Sequence, residues 1–268
     1  MRLLLRNERK KMTKKGKKKS STSRYVLYGV GELILVVVGI LIALSIDSWQ
    51  EDRKEAKKEQ QILQQLQHDY QSNLTQLQEK MQMRNEIIAA AEKILSYIDA
   101  PEDVSKDSLI HYFARVIPDP TFNPVSNDII GTENLRIIKN DSLVRLLSNW
   151  TSEAYQVQEL ELTNQQIRNE LAIPMTIRLG LARNIHHHVW KDGFVPTESL
   201  DKSLSVRRHI RPSKHPVDIA AVLNDKELEG YLASTITINQ VANIQSMALA
   251  QRIGRILAII GQEIAKDK

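Results

Sequence analysis

Cysteine is absent from all 268 residues. A disulfide framework, a thiol nucleophile and a thiolate zinc site are thereby excluded. The redox compartment stays open, because a chain without thiols suits either kind. Glycine is scarce, at 10 residues. No phosphate-cradling G-x-x-x-x-G-K-[ST], no G-x-G-x-x-G and no G-x-S-x-G occurs. From Asp47 to Asp99 there is neither proline nor glycine, so nothing there interrupts a helix. No stretch of four or more residues alternates convincingly between apolar and polar, and no segment repeats. These gaps leave no enzyme signature and point to an all-α protein.

What is present is unevenly distributed. Hydrophobic residues make up 42% and charged residues 26%, a globular balance, so most of the chain folds. Residues 1–24 hold 11 of the 37 Lys/Arg and one acid, Glu8. The remainder is net acidic, so the basic pI belongs to a short arm. Such an arm either binds nucleic acid or flanks a membrane helix. An apolar run follows at once, which favours the flank and no nucleic-acid partner.

That run, Tyr25 to Ile46, is 22 residues with one charge. At about 1.5 Å per residue it is long enough for a hydrocarbon core of about 30 Å. Leu33 to Ile46 holds eleven Leu, Ile or Val. Together they favour insertion by roughly 5 kcal/mol, more than the approximately 3 kcal/mol that a central acid costs. Tyr25, Tyr28 and Trp49 sit near the ends, where amphipathic rings settle. Ala43-Leu44-Ser45 could pass for a signal-peptidase site, but the long basic region and long apolar run favour an uncleaved signal-anchor. The strongly basic arm, against a mixed flank after the span, places the N-terminus in the cytoplasm and the rest across the membrane.

The one charge is Glu32. On a helix, Gly29, Glu32, Val36, Gly39, Ala43 and Ile46 follow 3-4 spacing and share a face, while the other faces are bulky. A small, polar stripe on a large, apolar helix suits contact with a second copy or with a partner span. The competing reading is an acid tolerated near the inner interface with no partner. A proton- or ion-translocating role has thinner support, since no second ionisable residue accompanies Glu32 in the span.

Residues 28–54, YGVGELILVVVGILIALSIDSWQEDRK, resemble the N-terminal signature of a bacterial family of single-span membrane proteins of unknown function. Gly31, Glu32, Leu35, Val36, Val37, Gly39, Ile40, Leu41, Ile42, Ala43, Leu44, Ile46 and Trp49 carry the match; Asp47 and Gln50 stand where that family often has Asn. Residues 132–150 are similar to a second, weaker motif through Asn134, Leu135, Ile138, Asn140 and Leu143, with Glu133 in place of the usual Gly. The resemblance implies a membrane-anchored, largely helical protein and brings no activity.

Past the span, Leu63, Leu66, Tyr70, Leu77, Met81, Ile88, Ala91, Leu95 and Ile98 recur at helical steps, interrupted by polar slots at Asn73 and Arg84. Such a helix serves either as a stalk or coiled-coil dimer, or as one member of a bundle. The broadening of the apolar face after Met81 favours the bundle. The expected organisation is a basic arm (1–24), a transmembrane helix (25–46) continuing into a membrane-proximal helix (47–99), which joins an antiparallel helical bundle domain (100–268) with irregular stretches near 118–131 and 184–223. A short helix is expected over 105–117. Asp141 reads as the N-cap of a helix from Ser142 to about Ala172, bent near Pro174. A last helix opens at Asn224-Asp225-Lys226-Glu227 with capping-box spacing and runs to about Lys266. Its expected face is Leu228, Leu232, Val241, Ile244, Ile253, Ile256, Ile260 and Ile264.

His186, His187 and His188, with His209 and His215, invite a metal reading. Three consecutive His cannot point one way, and no acid–His pair supports them, so a solvated helix end is the simpler reading. No metal, cofactor or catalytic residue is assigned. The expected function is non-enzymatic: a single-pass bacterial inner-membrane protein whose periplasmic domain senses a ligand or assembles with a partner. The alternative is an accessory subunit of an ion-driven transport complex using Glu32.

Overall fold

A computed structural model describes residues 21–125, 132–191 and 210–266. Most of the basic arm and residues 192–209, His209 among them, lie outside the described residues. Every described element is helical, and the chain divides into two compact units, 1–57 and 58–268.

Helix α1, Ser21–Asp99, is a single helix of 79 residues, as the absence of helix breakers from 47 to 99 predicts. In the first unit its side chains from Tyr28 to Glu55 are all exposed. A soluble protein does not leave fourteen large apolar side chains on one exposed stretch of helix. Ser45 Oγ donates to the Leu41 carbonyl at 2.7 Å, so the hydroxyl needs no water. Arg53 stacks its guanidinium 5.5 Å from the Trp49 ring. Among the described residues, this one helix is long and apolar enough to cross a membrane.

The second unit is a bundle of three long helices: α1 from Lys58 onward, α4 (Asp141–Ile167) and α8 (Lys226–Lys266). Cross-links fix their directions. Glu153 meets Arg252 and Asn164 meets Asn239, so α8 runs antiparallel to α4. Gln60 meets Glu263 and Arg84 meets Ser246, so α8 is antiparallel to α1 as well. Glu59 reaches Lys139 and Arg84 reaches Glu161, so α1 and α4 are parallel and need the long crossover from 100 to 140.

Two apolar clusters fill the interior. One joins Leu63, Leu66, Tyr70 and Leu77 of α1 to Leu143, Leu147 and Trp150 of α4 and Ile253, Ile256 and Ile260 of α8. The other joins Ala91 and Ile94 to the shorter helices α2 (Lys106–Val116), α5 (Ile173–Arg178), α6 (Ala182–Lys191) and α7 (Ile219–Leu223) and to the start of α8. The face of α1 is shifted by one position from the expected one at this end. Ile87, Ala90 and Ile94 are buried, whereas Met81, Ile88, Leu95 and Ile98 are half-buried. The interior face of α1 packs within its own chain.

Local chemistry sets the helix ends. Ser105 Oγ accepts from the Ser108 N–H and starts α2. Asn140, not Asp141, caps α4: its Oδ1 accepts from the Leu143 N–H at 3.0 Å. Asp225, not Asn224, caps α8, its Oδ1 accepting from Glu227 and Leu228 N–H. The four-residue α3 (Thr132–Leu135) precedes α4. The bend expected near Pro174 is a π-helical turn, Arg168–Ala172, in which the Ile173 N–H reaches back to the Arg168 carbonyl. The wider turn relieves the clash that the proline ring would make with an α-helical carbonyl. Gly180, at φ +70°, ends α5: its own N–H bonds Ile177 and the Leu181 N–H bonds Thr176, a Schellman closure.

The stretch 184–223, expected to be irregular, carries α6 at one end and α7 at the other. The clustered prolines that suggested irregularity lie between those helices or outside the described residues.

Candidate functional site

Two places gather polar groups where apolar ones are expected. The first is the stripe on α1. Gly29, Glu32, Val36, Gly39 and Ala43 are all exposed, and a methyl group built on Gly29 or Gly39 would meet no atom within 4 Å. The stripe is therefore an open surface on which a second helix backbone has room to approach.

The second is inside the bundle, between the two apolar clusters, and sequence reasoning saw it only as two polar slots. Arg84 is fully buried and Glu161 nearly so. Arg84 Nη2 donates to Glu161 Oε1, and Nη1 donates to Ser246 Oγ at 2.9 Å and Asn243 Oδ1 at 3.3 Å. Asn243 in turn donates to Asn85 at 2.8 Å. One turn away, Asn239 Nδ2 donates to Asn164 Oδ1 at 3.3 Å and to the Thr235 carbonyl at 2.8 Å. All three long helices contribute. Burial pushes the Glu161 carboxyl up from its ordinary range, opposed by the Arg84 charge and the Phe122 N–H. Burial also lowers Arg84, which nevertheless stays charged because a guanidinium is such a strong base. This layer explains a miss on α8: Asn239, Ala242 and Ser246 face inward, and Val241 and Ile244, expected in the core, are exposed.

The layer also holds a strap. Residues 118–125 carry no helix and run alongside α1 and α4. Side chains, not a sheet, satisfy the strap backbone. Glu161 Oε2 accepts from the Phe122 N–H at 2.8 Å, and Gln158 Nε2 donates to the Phe122 carbonyl at 3.2 Å. Gln76 Oε1 accepts from Asn123 N–H at 2.8 Å and Asn73 Oδ1 from Val125 N–H at 2.7 Å. Asp119 is held by Gln165 at 2.8 Å and by Arg168 at 3.1 Å. Phe122 is fully buried in the cluster beneath. The signal for this layer is present in the sequence: Arg84 stands seven residues after Leu77 and seven before Ala91, and Glu161 seven after Ala154. Charges at core spacing mark an interior polar layer, though spacing alone does not pair them.

His186 and His215 are exposed, as a solvated end would have them, but their neighbours on α6 are not. His187 and His188 are half-buried on α6; His187 Nδ1 lies 2.6 Å from the Ile210 carbonyl, and His188 Nε2 lies 3.3 Å from His111 Nδ1. Burial, then Arg115 and His188, hold His111 below its ordinary value. Among the described residues no group of three or more His, Asp or Glu is placed to hold a metal ion.

A family of unknown function, DUF6090, matches the chain over residues 32–128. The chain is similar to that family over just over a third of its length, from Glu32 in the apolar stretch of α1 through α2 and the strap. The second motif, 132–150, falls outside the match. No curated protein and no solved structure matches the chain.

Proposed function

We propose that this is a single-pass protein of a bacterial inner membrane. Its basic arm lies in the cytoplasm and its helical bundle in the periplasm. It acts without catalysis, through contacts, as a sensing or assembly component. The span contacts a second copy or a partner span through Gly29, Glu32, Val36, Gly39 and Ala43. The observation that carries this reading is the fully exposed apolar stretch of α1 next to an arm of 11 basic residues. Lipid is the medium that such a stretch suits, and positive flanks stay on the cytoplasmic side.

Fusions test the topology. A reporter that works only in the periplasm is active after Lys268, and one that works only in the cytoplasm is active within residues 1–24. Cytoplasmic activity at Lys268 overturns the reading. A role in ion-driven transport needs Glu32 to titrate, so Glu32→Gln abolishes that role but leaves a packing contact largely in place.

A further inference from the structure

We propose that a groove on the outer side of α4 and α8 binds the phosphate of an anionic phospholipid. The groove has a volume of about 420 Å³ and is lined by Arg145, Arg252 and Arg255 together with Ser142, Leu146, Ala258 and Ile259. Three arginines thus line one concavity in a chain whose folded part is net acidic. Glu153 accepts from Arg252 Nε at 2.9 Å and Nη2 at 2.8 Å and fixes that side chain against α4. Arg145 and Arg255 are exposed and have no carboxylate partner among the described residues. The acids nearest in the two helices are Glu153, which Arg252 neutralises, Asp141 in the first turn of α4, and Glu263, which binds Asn140 and Lys266. Two uncompensated guanidinium groups favour a phosphate monoanion, which accepts several charge-assisted hydrogen bonds.

The apolar part of the lining argues for a lipid and against a free ion. Leu146, Ala258 and Ile259 offer nothing to inorganic phosphate, whereas an acyl or glycerol stem buries against them. This inference rests on the membrane reading above only for the source of its ligand.

Native mass spectrometry of the full chain in mild detergent, titrated with short-chain phosphatidylglycerol, tests the proposal. The wild type takes up one lipid that Arg145→Gln/Arg255→Gln binds about tenfold or more weakly. Phosphatidylcholine does not distinguish the two proteins. Both arginines are exposed, so the variant keeps its melting temperature; Leu146→Asn, which leaves the charges in place, also weakens uptake. Equal phosphatidylglycerol binding by wild type and double variant overturns the proposal. Displacement of the lipid by inorganic phosphate at comparable concentration makes a free anion the occupant and overturns the lipid source. Failure of the membrane reading shows separately, as a full chain that stays in solution without detergent.

Discussion

Arg84 is the residue on which the bundle's interior turns. It is fully buried, it is permanently charged, and Glu161 is its counter-ion. Removing one partner strands the other in a low-dielectric interior, at a cost of about 3–5 kcal/mol, whereas replacing both with apolar residues of similar size is often neutral or stabilising. Arg84→Met is therefore expected to lower the denaturation midpoint far more than Arg84→Met/Glu161→Leu. A double variant as unstable as the single one would show that the strap, which also leans on Glu161, dominates instead. The His111–His188 contact gives a separate prediction in pH. The His111 pKa is lowered in the folded chain, so the unfolded chain binds more protons between that lowered value and the ordinary 6.5. Its contribution is present above 6.5 and is lost as the pH falls through that window. His111→Phe is expected to flatten the acid side of a melting-temperature profile against pH, while leaving the plateau above neutral largely in place. The burial-raised Glu161 acts in the opposite direction, so the test is the difference between variant and wild type.

Among the elements, the strap depends most on side chains. Its N–H groups at Phe122, Asn123 and Val125 bond to Glu161, Gln76 and Asn73, and no ladder would replace these bonds. Asn73→Ala leaves the Val125 N–H without its acceptor; Val125 is exposed, so water takes over and the cost is only about 0.5–1.5 kcal/mol. The expected result is faster amide exchange at Val125, with little change at Leu147 and Ile256 in the helices beneath. Unchanged exchange at Val125 would mean that the amide never depended on Asn73. The helices themselves were legible because their cause is local. The unbroken course of α1 to Asp99 follows from missing breakers, and Pro174 marked the bend. The caps slipped by one residue, since Asn140 and Asp141, or Asn224 and Asp225, are equally good acceptors and only the chain's path chooses between them. The strap was not legible, because its partners lie 36 to 52 residues away along the chain. The shift from Ile88 to Ile87 and the exposure of Ile244 escaped for the same reason: both depend on where Arg84 finds its acid.

The whole molecule joins a lipid-suited helix to a bundle that closes on its own core, so what the span touches is left to the stripe. Small residues let two helix backbones approach and gain dispersion contacts that lipid does not match across bulky side chains. Glu32 on the same face is able to hydrogen-bond across such a contact, and its desolvation costs less there than facing lipid. Polar contacts of this kind contribute only about 0.6–2 kcal/mol each. Close approach therefore outweighs the carboxyl, and Gly39→Ile is expected to reduce association more than Glu32→Gln, which keeps a hydrogen-bonding group. The present surface allows the test to be clean: no atom lies within 4 Å of a methyl at Gly39, so the isoleucine disturbs nothing in the isolated chain. An in-membrane association assay on residues 20–55 reads self-pairing, and crosslinking in the native membrane reads a foreign partner. If Gly39→Ile leaves both signals unchanged, the small face is coincidental and Glu32 is an acid tolerated near the inner interface. If Glu32→Gln alone removes them, the carboxyl itself makes the contact and the transport reading gains ground.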